Sequence, residues 1–143
     1  MKFTAAELLE AVPFFHVSDM RRSLEFYVDR LGFEKAITWE PEGMTRWCRL
    51  EMNGVAIMLQ LHADFGQADY VPLTNPGQGL SISFTCKDAL ALYHHASQQG
   101  LQPSIPFVGN GMWVTTLLDP DGYRLEFESL TDAAEGTTYV PSG

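Results

Sequence analysis

Two hydrophobic rhythms run along this chain. Around 12–17, 55–62, 81–86 and 124–128 apolar residues fall at every second position, the mark of strands with one buried face. After the first of these, Met20, Leu24, Tyr27, Val28 and Leu31 recur at helical spacing. Ser18 or Asp19 is placed to cap that helix, and Gly32 to end it in a left-handed turn. After the third, Leu90, Leu92, Tyr93 and Ala96 mark a second helix, ended by Gly100. Ahead of Leu8 and Leu9, Thr4-Ala5-Ala6-Glu7 is a capping-box pattern and predicts a short leading helix.

The pattern repeats. The two helix-ending glycines are 100 − 32 = 68 residues apart. The same offset carries Asn53-Gly54 onto Asp121-Gly122, both read as type I′ hairpin turns. It carries Trp47–Leu50 onto Thr115–Leu118, and Ala56–Gln60 onto Arg124–Glu128. Each half therefore reads strand, helix, then about three strands. The chain is an α+β domain of two βαβββ modules, 11–62 and 80–130, joined by a Pro/Gly-rich linker at 63–79. The tail, 131–143, is small and polar and is expected to be loose or packed on a neighbour. A module of this kind cannot bury both faces of its sheet alone, so each half needs a companion.

Composition removes whole classes. With 45% apolar and 19% charged residues the chain is neither disordered nor low-complexity. Nine bases against 18 acids give a net charge of −9, which repels phosphate backbones and sets nucleic acid aside as a partner. The same field mildly favours cationic ligands. No apolar run approaches the ~18 residues of a membrane span, and the start lacks a secretory apolar core. Cys48 and Cys86 form no CxxC pair, so a cytoplasmic protein with reduced thiols is expected. Phosphate-loop and GxSxG signatures are absent.

Alternation also sorts the faces. Phe15, Val17, Ile57, Leu59, Ile82, Phe84, Leu125 and Phe127 suit the helix side. The opposite side then carries Val12, Phe14, His16, Met58, Gln60, His62, Ser81, Ser83, Arg124, Glu126 and Glu128. Aromatic, hydroxyl and carboxylate groups interleaved on one face read as the wall of a binding cavity. Trp39, Trp47, Phe107 and Trp113 add flat apolar surface for stacking. The segment Ser104–Trp113, rich in glycine, is the candidate loop over the groove.

Several of these stretches are familiar. Pro13-Phe14-Phe15-His16-Val17-Ser18-Asp19, Leu24-Glu25-Phe26-Tyr27, Leu31-Gly32-Phe33 and Asp119-Pro120-Asp121-Gly122-Tyr123-Arg124-Leu125-Glu126 resemble the vicinal oxygen chelate superfamily. That group holds glyoxalase I, fosfomycin-resistance enzymes, extradiol dioxygenases and bleomycin-resistance proteins. The resemblance covers about residues 10–130 and implies two βαβββ modules in a curved mixed sheet, completed in a homodimer. In metal-using members four positions on the sheet hold the ion. Carried onto this chain they fall on Val12, Met58, Ser81 and Glu126, of which only Glu126 is a usual ligand type. A divalent ion needs several converging O or N donors, so the resemblance implies that the metal chemistry is lost and no cofactor is required.

The pattern then lies nearest to the bleomycin-resistance type, which binds a drug and does no chemistry. The expected activity is non-catalytic binding of a small cationic or aromatic ligand by Phe14, His16, Trp39, Trp47, Met58, Gln60, His62, Ser81, Ser83, Phe107, Trp113 and Glu126. Two alternatives stand beside it. One is a metal-dependent lyase or dioxygenase with a divalent ion shifted onto His16, His62 and Glu126. The other is a metal-free enzyme that uses Glu126 as its base.

Overall fold

Alternation and turn chemistry resolve into eight strands and two helices among the residues that the computed structural model describes, 8–64 and 74–141. In the first module β1 (Phe14–Val17) leads into α1 (Met20–Leu24), which runs on as a π-helical segment, Glu25–Arg30. β2 (Glu34–Trp39), β3 (Trp47–Met52) and β4 (Val55–Leu61) follow. The second module holds β5 (Ser81–Thr85), α2 (Ala89–Gln98), β6 (Phe107–Gly109), β7 (Met112–Leu118) and β8 (Arg124–Leu130). The strands make two four-stranded mixed sheets of identical order, β1-β4-β3-β2 and β5-β8-β7-β6. In each, the first and last strands of the module lie parallel and the other pairs antiparallel.

Both helices start and stop as their sequences dictate. The Asp19 carboxylate accepts from Arg22 N–H, and Asp88 from Leu90 and Ala91 N–H. Gly32 and Gly100 end them at φ 100° and 77°, a region that only glycine enters freely. From cap to glycine the first helix spans 32 − 19 = 13 residues and the second 100 − 88 = 12. The extra residue is taken up by the π turn, in which Leu31 N–H reaches back five residues to Phe26 O at 3.0 Å.

One apolar cluster runs through both modules and includes Phe15, Val17, Tyr27, Ile57, Leu59, Leu117, Leu125 and Phe127. Polar ties cross it. Tyr27 donates to the buried Asp119 carboxylate at 2.8 Å, Tyr123 donates to His16 O at 2.8 Å, and Ser18 donates to Asp121. The Phe15 and Tyr123 rings stack at 4.5 Å. Within one chain, then, the turn before β8 is fastened to the start of the first helix.

Four local expectations change. Asn53-Gly54 is type I′, with positive φ at both residues, but at Asp121-Gly122 only Gly122 is positive. There Pro120 fixes its own φ, and Asp119 gathers the N–H groups of Asp121 and Tyr123 onto one carboxylate oxygen. The segment Ser104–Trp113 is no loop over a groove: it contains β6, a hairpin turn at Asn110-Gly111 and the start of β7. The described tail is not loose. Val108 N–H bonds Thr137 O, Tyr139 N–H bonds Pro106 O, and the Glu135 carboxylate accepts from Asn110 and Gly111, so the tail covers the edge of β6. His62 lies just beyond β4, in a 3₁₀ turn with Ala63 and Asp64.

The leading helix expected at 4–7 and most of the linker, 65–73, lie outside the described residues. The end of the linker packs so closely on the second turn that a Cβ on Gly77 would stand 2.0 Å from Gly122 O. Among the described residues no helix is long and apolar enough to cross a membrane.

Candidate functional site

Strand pairing arranges the side away from the helices into rows, with neighbouring strands ~4.8 Å apart. The face is fixed by the buried residues that alternate with it: Ile57 and Leu59 on β4, Leu125 and Phe127 on β8. On the first sheet Trp39, Trp47, Gln60 and His16 form one row across β2, β3, β4 and β1. The next row is Ile37, Arg49, Met58 and Phe14. On the second sheet the corresponding rows are Phe107, Val114, Glu128 and Thr85, then Thr116, Glu126 and Ser83, then Leu118, Arg124 and Ser81.

Most of the predicted site residues are thereby gathered onto two open faces. Phe14, His16, Trp39, Trp47, Met58 and Gln60 share the first, and Ser81, Ser83, Phe107 and Glu126 the second. His62 joins the first from its turn, with Nδ1 3.1 Å from Nδ1 of His16. Burial, and after it the nearby His62 imidazole, hold His16 below the usual histidine range. Trp113 does not belong with the others. It pairs with Ser129, whose hydroxyl accepts from Ala89 N–H at the start of α2, so Trp113 is on the helix side and packs on Tyr139.

The faces are open, not enclosed. Phe14, Trp39 and Phe107 remain 41%, 51% and 43% exposed. Two cavities lie elsewhere, beside the helices: one of ≈ 920 Å³ along the outside of α1 and one of ≈ 400 Å³ between Phe26 and Leu117. Both are shallow clefts beside helices, and neither is lined by a predicted site residue. The rows concentrate stacking and hydrogen-bonding groups, whereas the clefts are rimmed by scattered surface charges.

Several carboxylates are paired with arginines. Arg124 Nε donates to Glu126 at 2.9 Å, a firm contact two residues along one strand where alternation predicts only a loose one. Arg49 donates to Glu51 and Glu10. Sequence reasoning missed Arg49, Ile37 and Thr116. The two-residue turn at Asn53-Gly54 already fixes Arg49 opposite Met58, so alternation carried through β3 finds it. Thr116 Oγ1 is sealed from solvent and has no hydrogen-bond partner. Cys48 is fully buried on the helix side, and burial pushes its thiol up to about 11, which removes it as a nucleophile.

The residues present do not suit a divalent ion at the four carried-over positions. Val12 has no donor atom, Met58 offers a soft thioether, Ser81 a neutral hydroxyl, and Glu126 is already bonded to Arg124. Nor is the shifted set of His16, His62 and Glu126 assembled: the two histidines meet on the first sheet and Glu126 stands on the second. Among the described residues no three His, Cys, Asp or Glu side chains are placed to hold a metal ion.

Comparison with known proteins agrees with this architecture. The profile of the Glyoxalase/Bleomycin resistance protein/Dioxygenase superfamily matches residues 12–127. No curated protein matches the chain significantly. A bleomycin-binding protein complexed with bleomycin is 21% identical, with a TM-score of 0.65 over 87% of this chain and 100% of its own. An antibiotic binding protein from a Streptomyces species is 21% identical, with a TM-score of 0.64 over 86% and 98% of the two chains. A superfamily member from Sphaerobacter thermophilus is 24% identical, with a TM-score of 0.65 over 85% and 98%. Identities this low carry the fold and nothing finer.

Proposed function

The chain belongs to the glyoxalase/bleomycin resistance protein/dioxygenase superfamily, and from that premise we propose that it is a non-catalytic receptor for a small cationic, aromatic molecule. The observation that carries this reading is the row Trp39, Trp47, Gln60 and His16, with Phe14 beside it, on a face whose ion-holding positions have become Val12 and Met58. Flat rings stack on such a row. Glu128 on the other sheet offers charge to a cation, on a chain of net charge −9. Bleomycin and antibiotic binding by two proteins of the same fold support the reading.

A second copy of the chain closes the groove. Half-exposed Phe14, Trp39 and Phe107 then gain cover, as an isologous dimer would give them. The metal-dependent alternative lacks donors, and the Glu126 base alternative must first break the bond from Arg124.

Titration calorimetry with proflavine, a cationic planar aromatic, on chelator-treated protein tests the receptor. Saturable binding without added metal is expected. Absence of heat, or heat that appears only with a divalent ion, overturns the reading. Light scattering tests the dimer, and a strict monomer at micromolar concentration removes it.

A further inference from the structure

His16 and His62 meet nitrogen to nitrogen, and that contact constrains their protons. The two Nδ1 atoms stand 3.1 Å apart, with ring centroids at 5.3 Å and planes tilted by 36°. An imidazole nitrogen either carries a proton and donates or holds a lone pair and accepts. The contact therefore needs one Nδ1–H and one bare Nδ1. A first added proton enters on Nε2 of the donating ring and keeps the contact. A second can enter only on the bare Nδ1 that accepts. Two N–H groups then point at each other, and the rings must part.

The pair stands where such a change is felt. His16 ends the outward row Trp39, Trp47, Gln60 and His16, and its ring meets Phe14 edge-on at 6.3 Å. Both imidazoles are half-buried, so a charge on them is screened less than one on open surface. Burial, and after it the His62 ring, hold His16 below the usual histidine range, as befits a pair that resists a second charge.

The charged and titratable groups on the surrounding elements are, among the described residues, already bound. Arg46 holds Asp64 and Arg49 holds Glu10, each below the usual carboxylate range, and Arg49 also donates to Glu51. From the second module Tyr123 donates to His16 O, with burial pushing its phenol up, and Asp121 accepts from Ser18. Asp119, raised to about 6, lies in the core between the modules and is bonded to Tyr27. Histidine is the side chain whose charge ordinarily changes between about pH 5 and 8.

Resting on the receptor reading above, we propose that the His16–His62 pair is a proton-operated release switch on the first sheet. Closed and neutral, it completes the row on which a cationic aromatic ligand stacks. Each proton it takes up sets a positive charge on that row, and the second also opens the pair. Two like charges about 6 Å apart at an effective dielectric of about 40 oppose each other by roughly a factor of ten in affinity.

Fluorescence titration of proflavine, which stays a cation throughout, compares about pH 7.5 with about pH 5 at fixed ionic strength. The parent chain is expected to bind about tenfold more weakly at the lower pH. The double variant His16→Gln/His62→Gln should lose that slope, with affinities at the two pH values within about twofold, because glutamine takes up no proton. Assigned nitrogen NMR signals of the imidazoles read the pair directly in the ligand-free chain. The two rings should take up protons in two separate steps, and in His62→Gln His16 should titrate once, at higher pH than the second step of the pair. Equal proflavine affinity at both pH values, a double variant that keeps the slope of the parent, or two rings that titrate independently overturns the switch. Proflavine binding without a slope leaves the receptor standing, whereas no binding at either pH removes the receptor and the switch with it.

Discussion

The first and second modules share a fold and differ in two respects. Strand order, Asp caps and terminal glycines are the same in both. Their helices differ by one residue, and their open faces differ in chemistry. The first presents Trp39, Trp47, Phe14 and two histidines, and the second presents Ser81, Ser83, Thr85, Thr116 and two glutamates. Burial explains why the halves agree on one side only. Ile57 and Leu125 fill equivalent places in one shared core, where a change of volume is felt at once. The outward rows carry no such constraint and are free to specialise.

That contrast can be broken or sharpened in several ways. Ile57→Ala and Leu125→Ala should each cost about 2–5 kcal/mol, because both leave cavities in the same core. If the modules are one cooperative unit, each variant shows a single denaturant transition; two transitions would separate the halves. The Tyr27–Asp119 tie tests their junction. Burial outweighs the hydrogen bonds from Tyr27, Tyr123 and Asp121 and pushes the Asp119 carboxyl up to about 6. A carboxyl raised on folding favours the native state when protonated. Stability should therefore fall as pH rises from about 4 to about 6, by up to about 3 kcal/mol, and Asp119→Asn should flatten that slope in pH-resolved urea melts.

Tyr27→Phe leaves the same carboxylate short of a donor and should cost about 1–3 kcal/mol. Trp39→Ala and Phe107→Ala probe equivalent outer positions. The first should weaken proflavine binding about tenfold and the second less, with stability moved by under about 0.5 kcal/mol in both. The smallest effect belongs to His16. Held below the usual histidine range, it takes up a proton less readily in the fold than in the unfolded chain, so it subtracts stability as pH falls below about 6.5. His16→Gln should remove that contribution, and a melt series from pH 7.5 to 5.5 reads it.

Much of the fold was legible because it rests on short-range signals. Alternation assigned the faces of β1, β4, β5 and β8, and Gly32 and Gly100 marked both helix ends. Tertiary bonding decided the rest. In Asp119-Pro120-Asp121-Gly122 the two backbone N–H bonds to the Asp119 carboxylate are local turn chemistry, but nothing local announces its third donor, the Tyr27 hydroxyl from the first module. Trp113 was misplaced because β7 was read only from Thr115, and the face of a residue outside a recognised strand has no parity. The meeting of His16 and His62 depends on the 3₁₀ turn after β4, which bends His62 out of the alternation that first placed it.

The π turn has an evolutionary consequence. In the first module Phe14 pairs with Met58, 58 − 14 = 44 residues on; in the second Ser83 pairs with Glu126, 126 − 83 = 43 residues on. A surplus residue that had slid β1 along β4 would have turned every outward side chain inward. Looped out as one wide coil of the helix, it left the alignment of the strands intact. Such a helix works as an expansion joint, and a chain equipped with one can absorb small insertions while its open faces go on changing.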